Sequence, residues 1–243
     1  LLPAVGMPGA IATAGVLNLI VALIAWLAWR SGIGNQWQAR VDERAIAQTP
    51  HDGKLKRLSA ILLASAFITG ATSFVYEIGW VRLLNQALGT TIHSFELMLA
   101  AFILGLAFGG LWVRKRASRI SDVVAYAGAA QILMGVAALL SLVAFSHSFH
   151  WVEWMMQALA RTDGGYAIFN LGGAVISLLV MFPAAFFAGM TLPLFTLALL
   201  NEGGGERAIG PVYAANTLGA IVGVLVMMHV LTPLISVRMS VML

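Results

Sequence analysis

The sequence lacks cysteine entirely. Disulfide bonds, thiol catalysis and cysteine-based metal sites are therefore excluded. Charge is also scarce: charged residues make up 10% of the 243 residues, whereas a soluble domain normally carries about a quarter. In their place, hydrophobic residues reach 60% and the mean hydropathy is +0.90. This composition predicts an integral membrane protein whose main partner is the lipid bilayer.

The chain also lacks the patterns of several other classes. Its Lys and Arg residues form short clusters between apolar runs, which is typical of topology signals rather than of nucleic-acid binding. No Gly-x-Ser-x-Gly elbow is present. The segment "GGGER" (203–207) has no preceding strand and no Lys-Ser/Thr ending, so we interpret it as a flexible turn. Of the histidines, only His147 and His150 are close together, and no clear third ligand beyond Glu153 accompanies them. We therefore expect no metal and no cofactor in this segment.

Long apolar runs dominate the rest of the sequence. A membrane span needs about 20 apolar residues, and the runs that meet this length cover 9–29, 58–81, 92–113, 123–145, 166–200 and 212–230. A seventh begins near Pro233. The polar stretch 31–57 separates the first two and is predicted to be a linker. Because Trp favours the membrane interface, "WVEWMMQAL" (151–159) predicts a short interfacial helix.

The fifth run, 166–200, is too long for one straight span. Pro183 and Pro193 interrupt it, with Gly189 between them, so we expect either a kinked, tilted helix or two helical pieces. A discontinuous helix would expose backbone groups to a ligand, as in many transporters. Proline kinks also occur in spans without that role.

The distribution of Lys and Arg predicts the orientation. Successive loops lie on alternate sides of the membrane, so the loops fall into two sets. One side then holds only Arg82, Arg161 and Arg238. The other side holds Arg30, Arg40, Arg44, Lys54, Lys56, Arg57, Arg114, Lys115, Arg116, Arg119 and Arg207. The linker, "RKRASR" (114–119) and "NEGGGER" (201–207) are therefore expected to face the cytoplasm.

The two ends of the chain resemble each other and suggest an internal repeat. "LLPAVGMPGAIAT" and "LTPLISVRMSVML" align Leu1 with Leu231 and Pro3 with Pro233. On this interpretation, 1–30 is the last helix of a preceding repeat, 31–57 a cytoplasmic linker, and 58–243 a second repeat of about five full helices and the start of a sixth. Parallel six-helix repeats are typical of major-facilitator-type transporters. The alternative is that any two junctions between a loop and a span look alike.

The predicted fold is therefore an all-α, polytopic transmembrane bundle with a major-facilitator-like six-helix repeat. The chain begins with Leu1 rather than Met, and Leu243 ends an apolar stretch. We expect that both ends are truncated and that the polypeptide continues beyond them.

The stretch "TSFVYEIGWVRLLNQALGTT" (72–91) places Glu77 and Arg82 in or beside an apolar run. Five positions apart on a helix, they point about 140° apart and cannot easily pair. Charges in a membrane are costly and usually pair or face a polar cavity, so each is expected to find a partner on another helix. Glu96 is the nearest candidate for Arg82, with His93 on the same face as Glu96.

Three interpretations of these charges stay open. The first is a polar cluster near the extracytoplasmic mouth that binds a cation or relays protons. The second is a buried ion pair that locks the second and third spans together. The third is that Arg82 simply extends to the membrane interface.

Small residues recur at four-residue spacing in two spans and predict close helix contacts. In "VYAANTLGAIVG" (212–223) they are Ala215, Gly219 and Gly223, and in the third span they are Gly105 and Gly109. Asn216 and Thr217 are polar within the same helix. We favour interhelical hydrogen bonding over substrate contact for Asn216.

Four segments together resemble the membrane domain of the bacterial spermidine-synthase-like membrane proteins. They are "GATSFVYEIGWVRLLNQALGTT", "ELMLAAFILGLAFGG", "FPAAFFAGMTLPLF" and "GERAIGPVYAANTLGAIVG". The family's Tyr-Glu-x-x-Trp-x-Arg core matches at Tyr76, Glu77, Trp80 and Arg82, and its Tyr-Ala-Ala-Asn-Thr-x-Gly core matches at 213–219. The resemblance covers about 58–243. Glu96 departs from the small or apolar residue that the family pattern has there.

The resemblance implies a major-facilitator-like region that precedes a soluble aminopropyltransferase-like domain in a bacterial inner membrane. That enzyme would transfer an aminopropyl group from decarboxylated S-adenosylmethionine to a diamine. It needs a Rossmann-like sheet, a glycine-rich nucleotide loop and acidic residues for the amine, and this sequence contains none of them. No catalytic residue is therefore assigned, and the activity of the parent protein stays open.

Three functions are compatible with these patterns. The first is a transporter-like domain for a small cationic solute such as a polyamine. The second is a membrane anchor for a cytoplasmic aminopropyltransferase domain of the same polypeptide, and the third is an accessory subunit packed against other membrane subunits. The predicted polar cluster, for substrate binding or for structure, comprises Tyr76, Glu77, Trp80, Arg82, His93, Glu96 and Asn216.

Overall fold

The computed structural model describes residues 52–201 and 205–231. Within these ranges every regular element is helical, as predicted: α1 (Asp52–Leu88), α2 (Ile92–Arg116), α3 (Val123–Ala158), α4 (Asp163–Asn201) and α5 (Ile209–Val226). Two short 3₁₀ helices (Ala117–Arg119 and Glu206–Ala208) lie before α3 and α5, and a π-helical turn (Met227–Leu231) follows α5. The first predicted span, most of the linker and the segment from Pro233 onward lie outside the described residues.

Five of the described helices are long and apolar enough to cross a membrane. They correspond to the second to sixth predicted spans, so the expectation of a multi-pass membrane chain is supported. Helix α1 begins at Asp52, earlier than the predicted span, which makes the end of the predicted linker helical. The basic residues Lys56 and Arg57 therefore lie on the first turns of α1 rather than in a loop.

The turn between α1 and α2 is short because both helix ends are capped locally. Gly89 adopts a positive φ of 83°, a conformation that costs glycine little, and its N–H donates to the Asn85 carbonyl at 3.1 Å. Two residues later, the Thr91 hydroxyl accepts the N–H of Ser94 at 3.1 Å and caps α2. The two helices consequently reverse direction within three residues, 89–91.

Helix α3 runs without interruption to Ala158. The prediction of a separate interfacial helix over 151–159 is therefore wrong, because that segment is the last part of α3. The polar residues before it do not end the helix: the hydroxyls of Ser146 and Ser148 donate to carbonyls one turn earlier, at 2.7 and 2.6 Å. At 36 residues, α3 is about 54 Å long and exceeds the roughly 30 Å apolar core of a bilayer.

Helix α4 continues through both Pro183 and Pro193. The two-piece alternative for the fifth run is therefore wrong, because the run forms one helix; the kink and the tilt stay predictions. Prolines are tolerated in such helices when neighbouring helices stabilise the segment. Helix α4 packs against α2, α3 and α1, and the side chains around its prolines, including Met181, Ala184 and Leu194, are almost fully buried.

The helices alternate in direction, as successive membrane crossings require. Helix α5 packs mainly on α1, with Gly219 against Phe67 and Gly223 against Ala71, so these two helices run in parallel. Helices α2 and α4 are also parallel, since Gly105 meets Phe182 and Gly109 meets Phe186. A six-helix repeat stays a prediction, because its remaining helix falls outside the described residues.

Candidate functional site

Glu77 lies on the side of α1 that faces the bundle. It is seven positions from both Gly70 and Leu84, about two helical turns in each direction, and both of those residues are buried. Its own side chain is half-buried. Among the described residues, none forms a hydrogen bond or ion pair with its carboxylate. An acid on the inward side of an apolar helix thus has no protein counter-charge in this part of the chain.

Two aromatic rings lie next to Glu77 on the same helix. The rings of Tyr76 and Trp80 are stacked, with centroids 5.5 Å apart and planes inclined by 25°. Trp80 is only 4% exposed, whereas Tyr76 is half-buried. Of the two rings, that of Tyr76 is therefore the more accessible.

Trp80 is fixed to α3 by a buried hydrogen bond. Its indole Nε1 donates to the Ser141 hydroxyl at 3.0 Å, and that hydroxyl donates to the Ala138 carbonyl at 2.7 Å. The sequence singled out Trp80 through the family resemblance but did not point to Ser141. A serine in an apolar span commonly bonds to its own helix, so its type and position carried no signal for this contact.

A second polar bridge joins the same two helices. The side-chain amide of Gln131 on α3 donates to the Thr69 hydroxyl on α1 at 2.7 Å, and Thr69 is 4% exposed. Sequence reasoning missed this pair. A signal was available, because a glutamine within an apolar run is costly unless it finds a partner. The two bridges together hold α1 and α3 in one register.

Arg82 lies apart from this group, in an exposed position on α1. It is six residues from the end of the helix, about 9 Å of helical rise, which is within the reach of a long basic side chain extending to the interface. The predicted Arg82–Glu96 ion pair is not formed. Glu96 instead lies 3.3 Å from His93 Nδ1 on its own helix, and the two side chains are 45% and 52% exposed.

Asn216 lies at the crossing of α5 with α1. Its backbone carbonyl is in contact with Gly70, where a methyl group would overlap it, and its side chain is half-buried. The neighbouring Thr217 hydroxyl donates to the Tyr213 carbonyl of the same helix at 2.9 Å. The structure thus stacks Tyr76 on Trp80 on the helix that also carries Glu77. It leaves Arg82 exposed and places His93, Glu96 and Asn216 in other contacts.

The predicted small residues lie at two helix crossings. Gly219 and Gly223 meet the backbone of α1, and Ala215 packs at the edge of an apolar cluster on the same side. On α2, Gly105 and Gly109 meet the backbone of α4. On α4, Gly189 meets the backbone of Leu106 in the same crossing. At these positions backbone packs directly against backbone, which larger side chains would prevent.

A groove of about 310 Å³ opens between α3 and α4 beside this region. Ser141, the partner of Trp80, lies on its wall, and Pro183 and Phe187 line it from α4. In the described ranges, no three His, Asp or Glu side chains lie close enough to hold a metal ion.

Comparison with known proteins gave no match: no protein-family model, no curated protein and no solved structure matches the chain. The family expected from the motifs stays a prediction. What the site can do follows from its own groups, and a half-buried carboxylate on a helix that also carries a half-buried aromatic ring is suited to bind a cation, by charge and by cation–π attraction.

Proposed function

We propose that this chain is the membrane domain of a spermidine-synthase-like protein and that it binds and moves a small organic cation such as a polyamine. The observation that carries the proposal is the half-buried Glu77, which faces the bundle without a counter-charge among the described residues. Acids in membrane helices are rare and usually mark the path of an ion or a substrate.

The charge of Glu77 selects the class of ligand. A half-buried carboxylate is costly in an apolar surrounding unless a positive group approaches it. Arg82 on the same helix points away, so it does not supply that group, and a bound ligand would. An ammonium ligand compensates the charge of Glu77 while it is bound, and the charge is uncompensated again when the ligand leaves.

The aromatic pair favours an organic ammonium over a bare metal ion. Tyr76, the residue before Glu77, adds a half-buried π-surface on the same helix, and its stacking on Trp80 holds the ring in place. Ammonium groups bind over such rings, whereas Mg²⁺ and Ca²⁺ require several oxygen ligands. One carboxylate with one accessible ring suits one end of a linear polyamine.

Transport by the purified, full-length protein in proteoliposomes tests the proposal. We expect spermidine flux in the wild type, loss of most of it in Glu77→Gln, and normal flux in Glu96→Gln. The last variant is the matched control, since it removes an exposed acid already in contact with His93. Equal flux in wild type and Glu77→Gln would remove Glu77 from the mechanism.

An anchor for a cytoplasmic aminopropyltransferase is the second candidate. The observation that favours it is the direct backbone contact at two crossings, α1 with α5 and α2 with α4. Such contacts suit a bundle that does not rearrange. Absence of flux in every variant, with a folded protein, would favour the anchor over the transporter.

A further inference from the structure

We infer that the cleft between the end of α2 and the start of α3 binds the phosphate headgroup of an anionic phospholipid. The cleft is open to its surroundings and has a volume of about 540 Å³. It is distinct from the Glu77 region, and the inference does not depend on the proposed transport.

Two arginines supply the positive charge of the cleft. Arg116 and Arg119 both line it, and neither forms an ion pair with a described residue. The acid of the cleft, Asp122, is engaged as the cap of α3, where its Oδ1 accepts the N–H of Ala125 at 2.9 Å. In the described ranges, no carboxylate therefore pairs with these two guanidinium groups, and Arg suits phosphate because its donors form a planar fork.

The cleft has a rigid aromatic floor. The rings of Trp112 on α2 and Tyr126 on α3 are stacked, with centroids 5.6 Å apart and planes inclined by 19°. The guanidinium carbon of Arg116 lies 4.3 Å from the centroid of the Trp112 ring, so a cation–π contact orients this arginine. The stack joins the two helices, and Arg116 is held at the cleft before any ligand arrives.

The position of the cleft favours a lipid over a soluble anion. It lies where two apolar, membrane-length helices end, and Trp and Tyr are enriched at headgroup depth. Its remaining lining is partly apolar, with Ile120, Ala125 and Ala129 beside the hydroxyl of Ser121. Polar groups thus meet the phosphate, while the apolar lining meets the glycerol and the first acyl carbons. Basic clefts between membrane helices commonly hold anionic headgroups in this way.

Lipid binding to the delipidated, full-length protein tests the inference. Native mass spectrometry would measure the affinity for phosphatidylglycerol and, in parallel, for zwitterionic phosphatidylcholine. We expect tighter binding of phosphatidylglycerol by the wild type. We expect the double variant Arg116→Gln/Arg119→Gln to bind phosphatidylglycerol at least about 10-fold more weakly.

The matched control removes the same charge outside the cleft. Arg114 and Lys115 are exposed neighbours that do not line the cleft, and Arg114→Gln/Lys115→Gln is expected to lose much less affinity. Equal losses in the two double variants would overturn the inference in favour of general surface charge. Displacement of the lipid by millimolar inorganic phosphate would overturn it in favour of a soluble anion. If circular dichroism shows that the double variant of the cleft does not fold, the lipid affinity of the single variant Arg119→Gln is measured instead.

Discussion

The indole Nε1 of Trp80 donates a hydrogen bond of 3.0 Å to the Ser141 hydroxyl and so joins two helices across 61 positions of sequence. Both side chains are almost fully buried, at 4% and 3% exposure. A buried donor without an acceptor is costly, so this bond fixes which face of α1 meets α3. It also sets the position of the ring that stacks on Tyr76, next to Glu77.

Replacing Ser141 with Ala should destabilise the protein by about 1 kcal/mol, since the indole N–H loses its acceptor. The free energy of unfolding in mixed micelles, titrated with denaturing detergent and followed by circular dichroism, measures this. Ser146→Ala is the control, because that exposed hydroxyl contacts only its own helix and the adjacent His147. Equal stabilities of the two variants would show that the bond contributes nothing measurable.

Replacing Gly219 with Ala should weaken the contact between α1 and α5. The added methyl would overlap the carbonyl oxygen of Phe67, and overpacking of this kind typically costs about 1–3 kcal/mol. Gly135→Ala on α3 is the matched control, since nothing lies within 4 Å of the position its methyl would take. The same unfolding titration applies. A Gly219→Ala protein as stable as the control would mean that the crossing relaxes without cost.

Replacing Glu77 with Gln should stabilise the protein in the absence of organic cations, because an uncompensated half-buried charge is removed. Spermidine should raise the melting temperature of the wild type but not that of Glu77→Gln. A ligand at 100 times its Kd adds about 2.7 kcal/mol to the stability of the form that binds it. Thermal unfolding with and without spermidine measures both effects. An equal rise in the two proteins would place the cation elsewhere.

The existence of the helices was predictable, because long apolar runs in a membrane leave few alternatives to a helix. Their ends were less so. The predicted fourth span stopped near Phe145, where Ser146, His147 and His150 make the sequence polar, yet α3 continues. The hydroxyls of Ser146 and Ser148 and the ring of His147 form hydrogen bonds with carbonyls one turn earlier. Polar residues in the sequence therefore did not mark the end of the helix.

The partners of polar side chains were the least predictable part. Helical spacing correctly set Glu77 and Arg82 on different sides of α1, but it could not say which helix each side meets. Glu96 was chosen for Arg82 because it is near in sequence, whereas its actual contact is with His93, one turn away. The bridges from α1 go instead to Gln131 and Ser141 on α3, which depend on the packing of the whole bundle.

The contact between α1 and α5 has a consequence for how the protein is made. Helix α1 leaves the ribosome before the other described helices, but the glycines that fit against Phe67 and Ala71 belong to the last of the described long helices. Chains emerge from the N-terminus onward, so the α5 glycines do not reach the Gly70 face of α1 until α2, α3 and α4 have been synthesised. A nascent chain arrested before α5 would present the Gly70 face of α1 without its α5 partner. Quality control in the membrane would recognise the incomplete chain at that face.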